Sequence, residues 1–464
     1  MKKIISLILL VSFVLAMTSC AAPEEIVPEY ISMGNKLDFG GTEFTFLSET
    51  ETGFISVKEG TLLYDCVMER IDEVEENLNC IINIKRAASE GGHYETCRAQ
   101  ISSGICPADI TEFRSSNFAA LLAYGGYLFP LSDVNDIINY EDTFKYGSPS
   151  VLEGAMYNGI PYAVQPSSWP GFADAACFLL AYNRDKINSE GLSDPHEFYE
   201  NKTWTWDTFE TVLETYTSND ASDPYVTLSG HPRAFSQIAM VSNGVKFSDY
   251  INGELKTDIY EPRTTTAITW MQDVYNRYRQ SIIDVDYWSV KEFVDGQSLF
   301  TFASGAQAFD SEIQYDCDFV FGLMPFPMGP DAVYGEWANW REGLVAVCMP
   351  INTPEPTACA HIISEMFEPL EEFGTTIDDL KEYYTDNVFS SATDTEIFFE
   401  VGKYGRYVYW QVGGLEFAIA IAEDYRSKTA KQLIDAYAPT METLIDKYIE
   451  PNFENYMYEH LYAE

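Results

Sequence analysis

Apolar, strand-like runs alternate with amphipathic helical patterns along this chain, and this alternation constrains the fold more than any other feature. The first segments are predicted as strand, helix, strand, helix, strand and helix, at residues 43–47, 62–78, 81–84, 94–101, 108–113 and 118–124. Later strands are predicted at 178–182, 300–303, 319–324 and 344–349, with helical patterns between them. Strands separated by helices predict an α/β sheet with crossover helices.

The length of the chain predicts two domains rather than one. At 464 residues it exceeds what a single core usually organises, and its 46% hydrophobic residues are enough for substantial cores. After about residue 357 the patterns are mostly helical. We therefore expect two α/β units followed by a helical C-terminal part.

The first twenty residues resemble a bacterial lipoprotein signal. Lys2 and Lys3 precede an apolar run at 4–16, and Met17-Thr18-Ser19-Cys20 forms a small-residue cleavage box. A transmembrane anchor is the alternative, but the run is short for a membrane span. The sequence predicts a signal peptide at 1–19, lipid attachment to Cys20 and a flexible tether at 20–38. It thus predicts a lipid-anchored protein at the extracellular face of the cell membrane.

The net charge of the chain limits its partners. A formal charge of −44 repels nucleic acid and anionic lipid headgroups, so neither is expected as a partner. It also disfavours an anionic substrate unless a local pocket inverts the field. The simpler explanation of the excess is that these acids keep an extracellular protein soluble.

No motif for catalysis or metal binding is present. The sequence has no GxSxG, HExxH or GxxxxGK, its five histidines lack ligand spacing, and its nine cysteines include no CxxC. We expect no catalytic residue, no metal and no cofactor. The eight cysteines other than Cys20 are interpreted as small buried hydrophobes, with disulfides as the alternative. A glycoside hydrolase stays open, because two of the 72 acids would suffice for it.

Five segments, taken in order, resemble a known family. They are YNGIPYA at 157–163, LLAYNRDKINSEGLSDP at 179–195, TWTWDTFE at 203–210, FGLMPFPMGP at 321–330 and WREGLVAVCMPINTPEPTACA at 340–360. Together they look like the family 1 extracellular solute-binding proteins of carbohydrate ABC importers, the group that includes maltose-binding protein. The resemblance covers roughly residues 40 to 365.

The resemblance implies a two-lobed, periplasmic-binding-protein-like α/β fold of type II. Its lobes are discontinuous and joined by hinge strands, with a helical C-terminal part on the second lobe. The implied division places 39–170 and 298–342 in lobe 1, and 171–297 and 343–464 in lobe 2. The hinge strands are expected near 164–178, 292–300 and 340–347.

The resemblance also implies a function. The protein would capture a sugar or oligosaccharide between its lobes as a monomer and deliver it to the permease subunits of an ABC importer. A secreted glycoside hydrolase with paired carboxylates is one alternative, and a sensory or adhesive lipoprotein is another.

A neutral sugar is bound by aromatic rings and by polar side chains that pair with its hydroxyls. Trp169, Trp337 and Trp340 lie in Gly- or Pro-flanked loops, where they either line the cleft or pack beneath the hinge. If Trp340 lines the cleft, Trp340→Ala should remove stabilisation by ligand and leave the melting point of the free protein nearly unchanged. Among the polar candidates, Asp109, Glu112 and Arg114 are predicted to end the third strand, where open α/β sheets bind ligands. The others follow predicted strands or flank Trp340: Ser48, Glu49, Asp310, Asn339 and Arg341. Each candidate has a surface ion pair or turn as its alternative role.

Overall fold

The computed structural model describes most of the chain beyond the predicted tether. The described residues are 37–49, 53–55, 57–87, 90–113, 116–157, 159–172, 178–217, 224–251, 254–287, 289–310, 312–341, 345–407 and 414–448. The predicted signal peptide, Cys20, Arg114 and Cys177 lie outside these residues.

The described strands are short, and they are numbered here along the chain. They are β1 (Thr42–Ser48), β2 (Gly53–Phe54), β3 (Val57–Lys58), β4 (Cys80–Arg86), β5 (Ile110–Phe113), β6 (Met156–Tyr157), β7 (Ile160–Pro161), β8 (Ala163–Val164), β9 (Phe178–Asn183), β10 (Val226–Gly230), β11 (Ser248–Ile251), β12 (Glu254–Thr257), β13 (Ile282–Asp284), β14 (Ser298–Ser304), β15 (Phe321–Met324), β16 (Asn339–Arg341), β17 (Ala346–Cys348) and β18 (Gly405–Tyr407).

The described helices alternate with these strands and then dominate the C-terminal part. They are α1 (Leu62–Leu78), α2 (Glu90–Ser102), α3 (Ser116–Tyr124), α4 (Thr143–Tyr146), α5 (Pro149–Leu152), α6 (Arg184–Ser189), α7 (Pro195–Glu200), α8 (Trp206–Thr215), α9 (Pro232–Ser242), α10 (Pro262–Arg277), α11 (Lys291–Val294), α12 (Gly305–Asp310), α13 (Glu312–Asp316), α14 (Pro356–Met366), α15 (Ile377–Asn387), α16 (Ala392–Gly402), α17 (Gly414–Asp424) and α18 (Ala430–Tyr448). Short 3₁₀ turns occupy Leu131–Val134, Glu153–Ala155 and Glu371–Phe373.

Helix α1 shows how the local sequence fixes an element. Thr61 caps its start by accepting a hydrogen bond from the backbone N–H of Tyr64, and Asn79 ends it in the left-handed conformation. Its buried side chains recur every three or four residues: Val67, Ile71, Val74 and Leu78. The bounds predicted from the sequence for this helix, 62–78, are confirmed.

Two five-stranded sheets form the centres of two lobes. The first has the order β4-β1-β5-β17-β8 and the second the order β13-β10-β14-β9-β15. Every residue of β9 and β14 is buried, as expected of strands whose sheet is covered on both faces. The prediction of a two-lobed α/β fold is confirmed.

The chain passes between the two sheets at three places. The first crossing connects β8 to β9 and is described over residues 165–172. The second crossing connects β15 to β17 and is described over residues 325–341 and at residue 345. Helix α14 still packs on α1 beside the first sheet, whereas α16 packs on β15 of the second sheet. The third crossing therefore follows α14.

Sheet pairing differs from the division of lobes that the sequence predicted. Strand β14 was expected in the first lobe, but it pairs with β9 and β10 in the second sheet. Strand β17 was expected in the second lobe, but it pairs with β5 and β8 in the first. The hinge strand expected near 292–300 is also wrong, because that segment contains α11 and the start of β14.

A buried ion pair attaches the C-terminal helices to the second sheet. Asp394 of α16 accepts hydrogen bonds from both Arg184 and the backbone N–H of Leu323, and His196 Nε2 lies 3.2 Å from its Oδ1. Burial alone would raise the pKa of Asp394, but the hydrogen bond from His196 and the charge of Arg184 hold that pKa below its ordinary value. The helical C-terminal part thus belongs to the second lobe.

Candidate functional site

The carboxyl ends of the strands in both sheets meet at the crossings. In the first sheet β1, β5 and β8 run parallel, and the antiparallel β17 begins at their carboxyl ends. In the second sheet β10, β13, β14 and β15 run parallel, and the antiparallel β9 begins at their carboxyl ends. The first two crossings therefore join one carboxyl edge directly to the other. Open α/β sheets bind ligands at such edges, so the candidate site is the space between them.

Three of the predicted site residues lie together at the edge of the first sheet. The register of β1 with β5 places Ser48 opposite Glu112, and the Ser48 hydroxyl donates to Glu112 Oε2 over 2.6 Å. The same oxygen accepts from the backbone N–H of Ile55 over 3.0 Å. Glu49 is the next residue after Ser48, and its side chain is also buried. A carboxylate held by two donors in this way is fixed in position.

A buried histidine lies beneath this carboxylate. The Nε2 of His93 is 3.1 Å from both Thr111 Oγ1 and the carbonyl oxygen of Glu112. Burial lowers the pKa of His93 to about 4, so the ring is neutral at neutral pH. His93 therefore contacts the end of β5 from within the core and contributes no positive charge to the edge of the sheet.

Asp109 does not end the third predicted strand. Strand β5 begins at Ile110, so Asp109 precedes it, and Thr45 of β1 donates its backbone N–H to Asp109 Oδ2 over 2.7 Å. Three residues of extended strand separate it from Glu112 by about 10 Å. The prediction that both acids end this strand is wrong for Asp109, because the strand starts two residues later than the sequence pattern placed it.

The start of the first crossing adds polar residues that sequence analysis missed. Gln165 directly follows β8, and its Nε2 donates to Ser167 Oγ and to the carbonyl oxygen of Phe172. Its Oε1 is buried and has no hydrogen-bond partner among the described residues, and the same holds for Ser168 Oγ. Buried polar atoms of this kind are normally satisfied by water or ligand. The polar QPSS sequence directly after a strand was the available signal.

The edge of the second sheet carries a cation stacked on an aromatic ring. The guanidinium carbon of Arg233 lies 3.8 Å from the ring centroid of Tyr287, whose hydroxyl donates to Gln237 over 3.1 Å. His231 caps α9 by accepting from the backbone N–H of Arg233. Burial, followed by the charge of Arg233, lowers the pKa of His231. Sequence analysis missed this cluster, although HPR directly after β10 marks the turn from strand to helix where ligands bind.

The described residues contain neither a metal site nor a membrane span. No three His, Cys, Asp or Glu side chains among them converge closely enough to hold a metal ion. None of their helices is long and apolar enough to cross a membrane. Seven cysteines are free thiols in the structure, namely Cys66, Cys80, Cys97, Cys106, Cys317, Cys348 and Cys359.

A family model now identifies the chain. The model of the bacterial extracellular solute-binding proteins matches residues 69–371, which include all of the second carboxyl edge and, in the first, the ends of β5 and β8 but not of β1. The chain is a bacterial extracellular solute-binding protein. The resemblance predicted from the five sequence segments is confirmed, and a comparison with curated protein sequences finds no match.

Solved structures of other solute-binding proteins share this fold. The structure is similar to an ABC substrate-binding protein from Listeria monocytogenes in complex with cycloalternan, with 15% identity, a TM-score of 0.59, and coverage of 88% of this chain and 99% of that one. It is similar to the sugar-binding protein MalE from Xanthomonas citri, with 14% identity, a TM-score of 0.61, and coverage of 90% and 100%. It is also similar to UgpB from Mycobacterium tuberculosis in complex with glycerophosphocholine, with 17% identity, a TM-score of 0.59, and coverage of 88% and 100%. The family is one of extracellular solute-binding proteins, in agreement with the prediction that the chain is not an enzyme.

The three candidate tryptophans of this solute-binding protein are buried. Trp169 packs edge-on against Phe367, and its Nε1 donates to the carbonyl oxygen of Glu368 in the third crossing. Trp340 is 1% exposed and packs edge-on against Phe247. This placement favours packing beneath the hinge, the alternative raised by the sequence.

Trp337 and the remaining candidates lie near the crossings. Trp337 packs between Tyr199 and Tyr334. Asn339 and Arg341 belong to β16, a strand of the second crossing that pairs with β18 of the C-terminal part. Asp310 ends α12 directly after β14, so it lies with the second sheet rather than with the first lobe as expected. Ligand contact by these residues stays a prediction.

Proposed function

We propose that this protein captures a sugar or oligosaccharide between its two carboxyl edges and delivers it to the permease of an ABC importer. The observation that carries the proposal is the direct connection of the two edges by the first two crossings. At one edge the carboxylate of Glu112 is buried and fixed by Ser48, and at the other Arg233 stacks on Tyr287. Carboxylates and guanidinium groups pair with sugar hydroxyls, and a ring stack offers an apolar surface.

Closure of the lobes would follow from ligand contacts with both edges. A solute that touches both stabilises the closed form over the open form only by the difference in its affinity for them. The unpartnered Oε1 of Gln165 and Oγ of Ser168 lie at the start of the first crossing, where a closing ligand would find acceptors and a donor. The closed form would then dock on the permease.

The comparisons support a sugar without naming it. The structure from Listeria monocytogenes is a complex with cycloalternan, and the protein from Xanthomonas citri is a sugar-binding protein. UgpB is in complex with glycerophosphocholine. The −44 charge of this chain favours a neutral sugar over a phosphorylated solute.

A thermal-shift screen of the chain from residue 38 onward tests this function. Neutral mono- and oligosaccharides should stabilise the folded protein by RT ln(1 + [L]/Kd), about 2.7 kcal/mol at a hundredfold excess over Kd, and so raise its melting temperature. Glycerophosphocholine should not. Incubation with the same saccharides should release no product. Product formation would instead support a glycoside hydrolase, and the absence of any small-molecule stabilisation would support an adhesive or sensory lipoprotein.

Lipid anchoring by Cys20 is a separate part of the proposal. The full chain expressed in a bacterium should partition with membranes, and Cys20→Ser should release it or leave its signal uncleaved. Membrane association that persists after Cys20→Ser in a chain whose signal has been cleaved would contradict the lipid anchor and leave the solute-binding function intact.

A further inference from the structure

A second depression lies on the flank of the second lobe, away from the residues of the candidate site. It is an open groove of about 670 Å³ between the start of α8 and the first half of α10, closed on one side by residues 328–330. This volume is in the range typical of small-molecule sites. None of its lining residues belongs to the clusters at the carboxyl edges.

Two tryptophans form part of the floor of the groove. The rings of Trp206 and Trp270 are stacked with centroids 4.0 Å apart and an interplanar angle of 4°. Trp206 Nε1 donates to Ser242 Oγ, and Trp270 Nε1 donates to Glu210 Oε1 over 2.9 Å. Because both N–H groups are used inside the lobe, the pair offers a ligand apolar contact only.

The backbone beside the floor is held in place before any ligand binds. Met328 exchanges backbone hydrogen bonds with Trp204 and Trp206, and the N–H of Gly329 donates to the carbonyl oxygen of Ser242. A Cβ on Gly329 would lie only 2.8 Å from Cζ2 of Trp206, so the glycine permits this close approach. The floor is therefore rigid, which lowers the entropic cost of binding.

The rim of the groove is made of hydroxyls and carboxylates. Thr265, Thr269 and Asp273 are exposed at positions i, i+4 and i+8 of α10, so they follow one face of the helix over about 12 Å. Asp207 at the start of α8 lines the groove as well. No lysine or arginine is among the described lining residues; the nearest ion pair to the rim joins Asp273 to Arg277 over 3.9 Å, one turn further along α10. The lining itself therefore carries only negative charge and disfavours anions.

From this combination we propose that the groove is a second, peripheral binding site for a neutral saccharide. The apolar floor accepts the C–H face of a sugar ring, while threonine hydroxyls and the two carboxylates pair with its hydroxyls. Phosphorylated or otherwise anionic sugars are excluded by Asp207 and Asp273. The site would hold saccharide at the protein surface independently of lobe closure.

Calorimetric titration of the protein with maltotetraose and mannotriose tests the site. A saccharide that uses both sites should bind in two events, the weaker one to the groove. Thr269→Tyr fills the groove from an exposed position and should weaken that event about tenfold or more. Asn276→Tyr is the matched control, because Asn276 is exposed on the same helix and does not line the groove.

The outcomes separate this site from the cleft. Loss of the weaker event in Thr269→Tyr alone, with the tighter event retained, supports the groove. Unchanged titrations of Thr269→Tyr, equal losses in both tyrosine variants, or no saccharide binding at all would overturn it. Saccharide binding that is lost in Glu112→Gln but unaffected by Thr269→Tyr would overturn the groove and leave the proposed function standing.

Discussion

The indole N–H of Trp169 donates to the backbone carbonyl oxygen of Glu368 over 3.4 Å, and this contact ties the first crossing to the third. The same carbonyl accepts from Arg70 of α1, and the carboxylate of Glu368 pairs with the buried Lys145 over 2.6 Å. Glu368 thus connects the first lobe to both crossings. A tryptophan in this position stabilises the hinge and has little surface left for a ligand.

Replacement of Trp169 should therefore cost stability. We expect Trp169→Ala to lower the free energy of unfolding by about 3–5 kcal/mol, since it leaves a large cavity against Phe367. Trp169→Phe should cost less, because it keeps most of the packing and loses chiefly the hydrogen bond to Glu368. Urea unfolding of the free protein checks both variants. A Trp169→Ala protein as stable as the wild type would contradict burial beneath the hinge.

The structure favours the second of the two roles predicted for Trp340, packing beneath the hinge. Its side chain is buried against Phe247, so Trp340→Ala should lower the melting point of the free protein, with a cost of about 3–5 kcal/mol. Val333→Ala is a control at an exposed apolar position in the same crossing and should change stability little. Thermal unfolding without ligand decides the matter. An unchanged melting point for Trp340→Ala would restore the role in ligand contact.

Glu112 lies near the carboxyl end of β5, and Asp109 directly precedes the start of the same strand. Glu112→Gln keeps an oxygen for the donors Ser48 and Ile55 but removes the charge at the carboxyl edge, so saccharide affinity should fall about tenfold or more with the fold retained. Asp109→Asn lies at the other end of β5 and should leave affinity unchanged. Titration with the saccharide found by thermal shift measures both. Equal losses in the two variants would contradict a site confined to the carboxyl edge.

Asp394 should contribute a pH-dependent share of stability. Its pKa is lowered in the folded state, so its contribution is complete above the ordinary value of 3.8 and is lost as pH falls below it. Asp394→Asn leaves Arg184 without its buried partner and should cost about 3–5 kcal/mol at neutral pH. The difference in free energy of unfolding between the wild type and Asp394→Asn should therefore be smaller at pH 3 than at pH 7. A constant difference between them would contradict this assignment.

The lowered pKa of His93 should reduce the free energy of unfolding in mild acid. Its pKa falls from 6.5 to about 4 on folding. Above pH 6.5 the ring is neutral in both the folded and the unfolded state, so its titration costs no stability there. Between pH 6.5 and 4 the unfolded chain takes up a proton that the folded protein does not, and stability declines by on the order of 3 kcal/mol. An NMR titration of the ring of His93 measures this pKa directly. A value near 6.5 in the folded protein would contradict burial beneath Glu112.

The sequence by itself determined the local elements and the family. Helix α1 matches its predicted bounds because its apolar residues repeat with the helical period and Thr61 and Asn79 fix its ends. Ser48 and Glu112 were each predicted as site residues because they lie where predicted strands end, and open α/β sheets bind ligands at such ends. These inferences depend on periodicity and chain order, which the sequence records directly.

Only the tertiary structure decided which strands share a sheet and which aromatic rings are buried. The segments of β14 and β17 are apolar in the same way, so their patterns predict burial but not the partner strand, and each joined the opposite sheet from the one expected. Trp169 lies in a polar, Pro-flanked loop, yet it is buried because the third crossing, about 200 residues later, packs against it. Contacts between residues far apart in sequence leave no local pattern, and so the hinge became visible only in the folded chain.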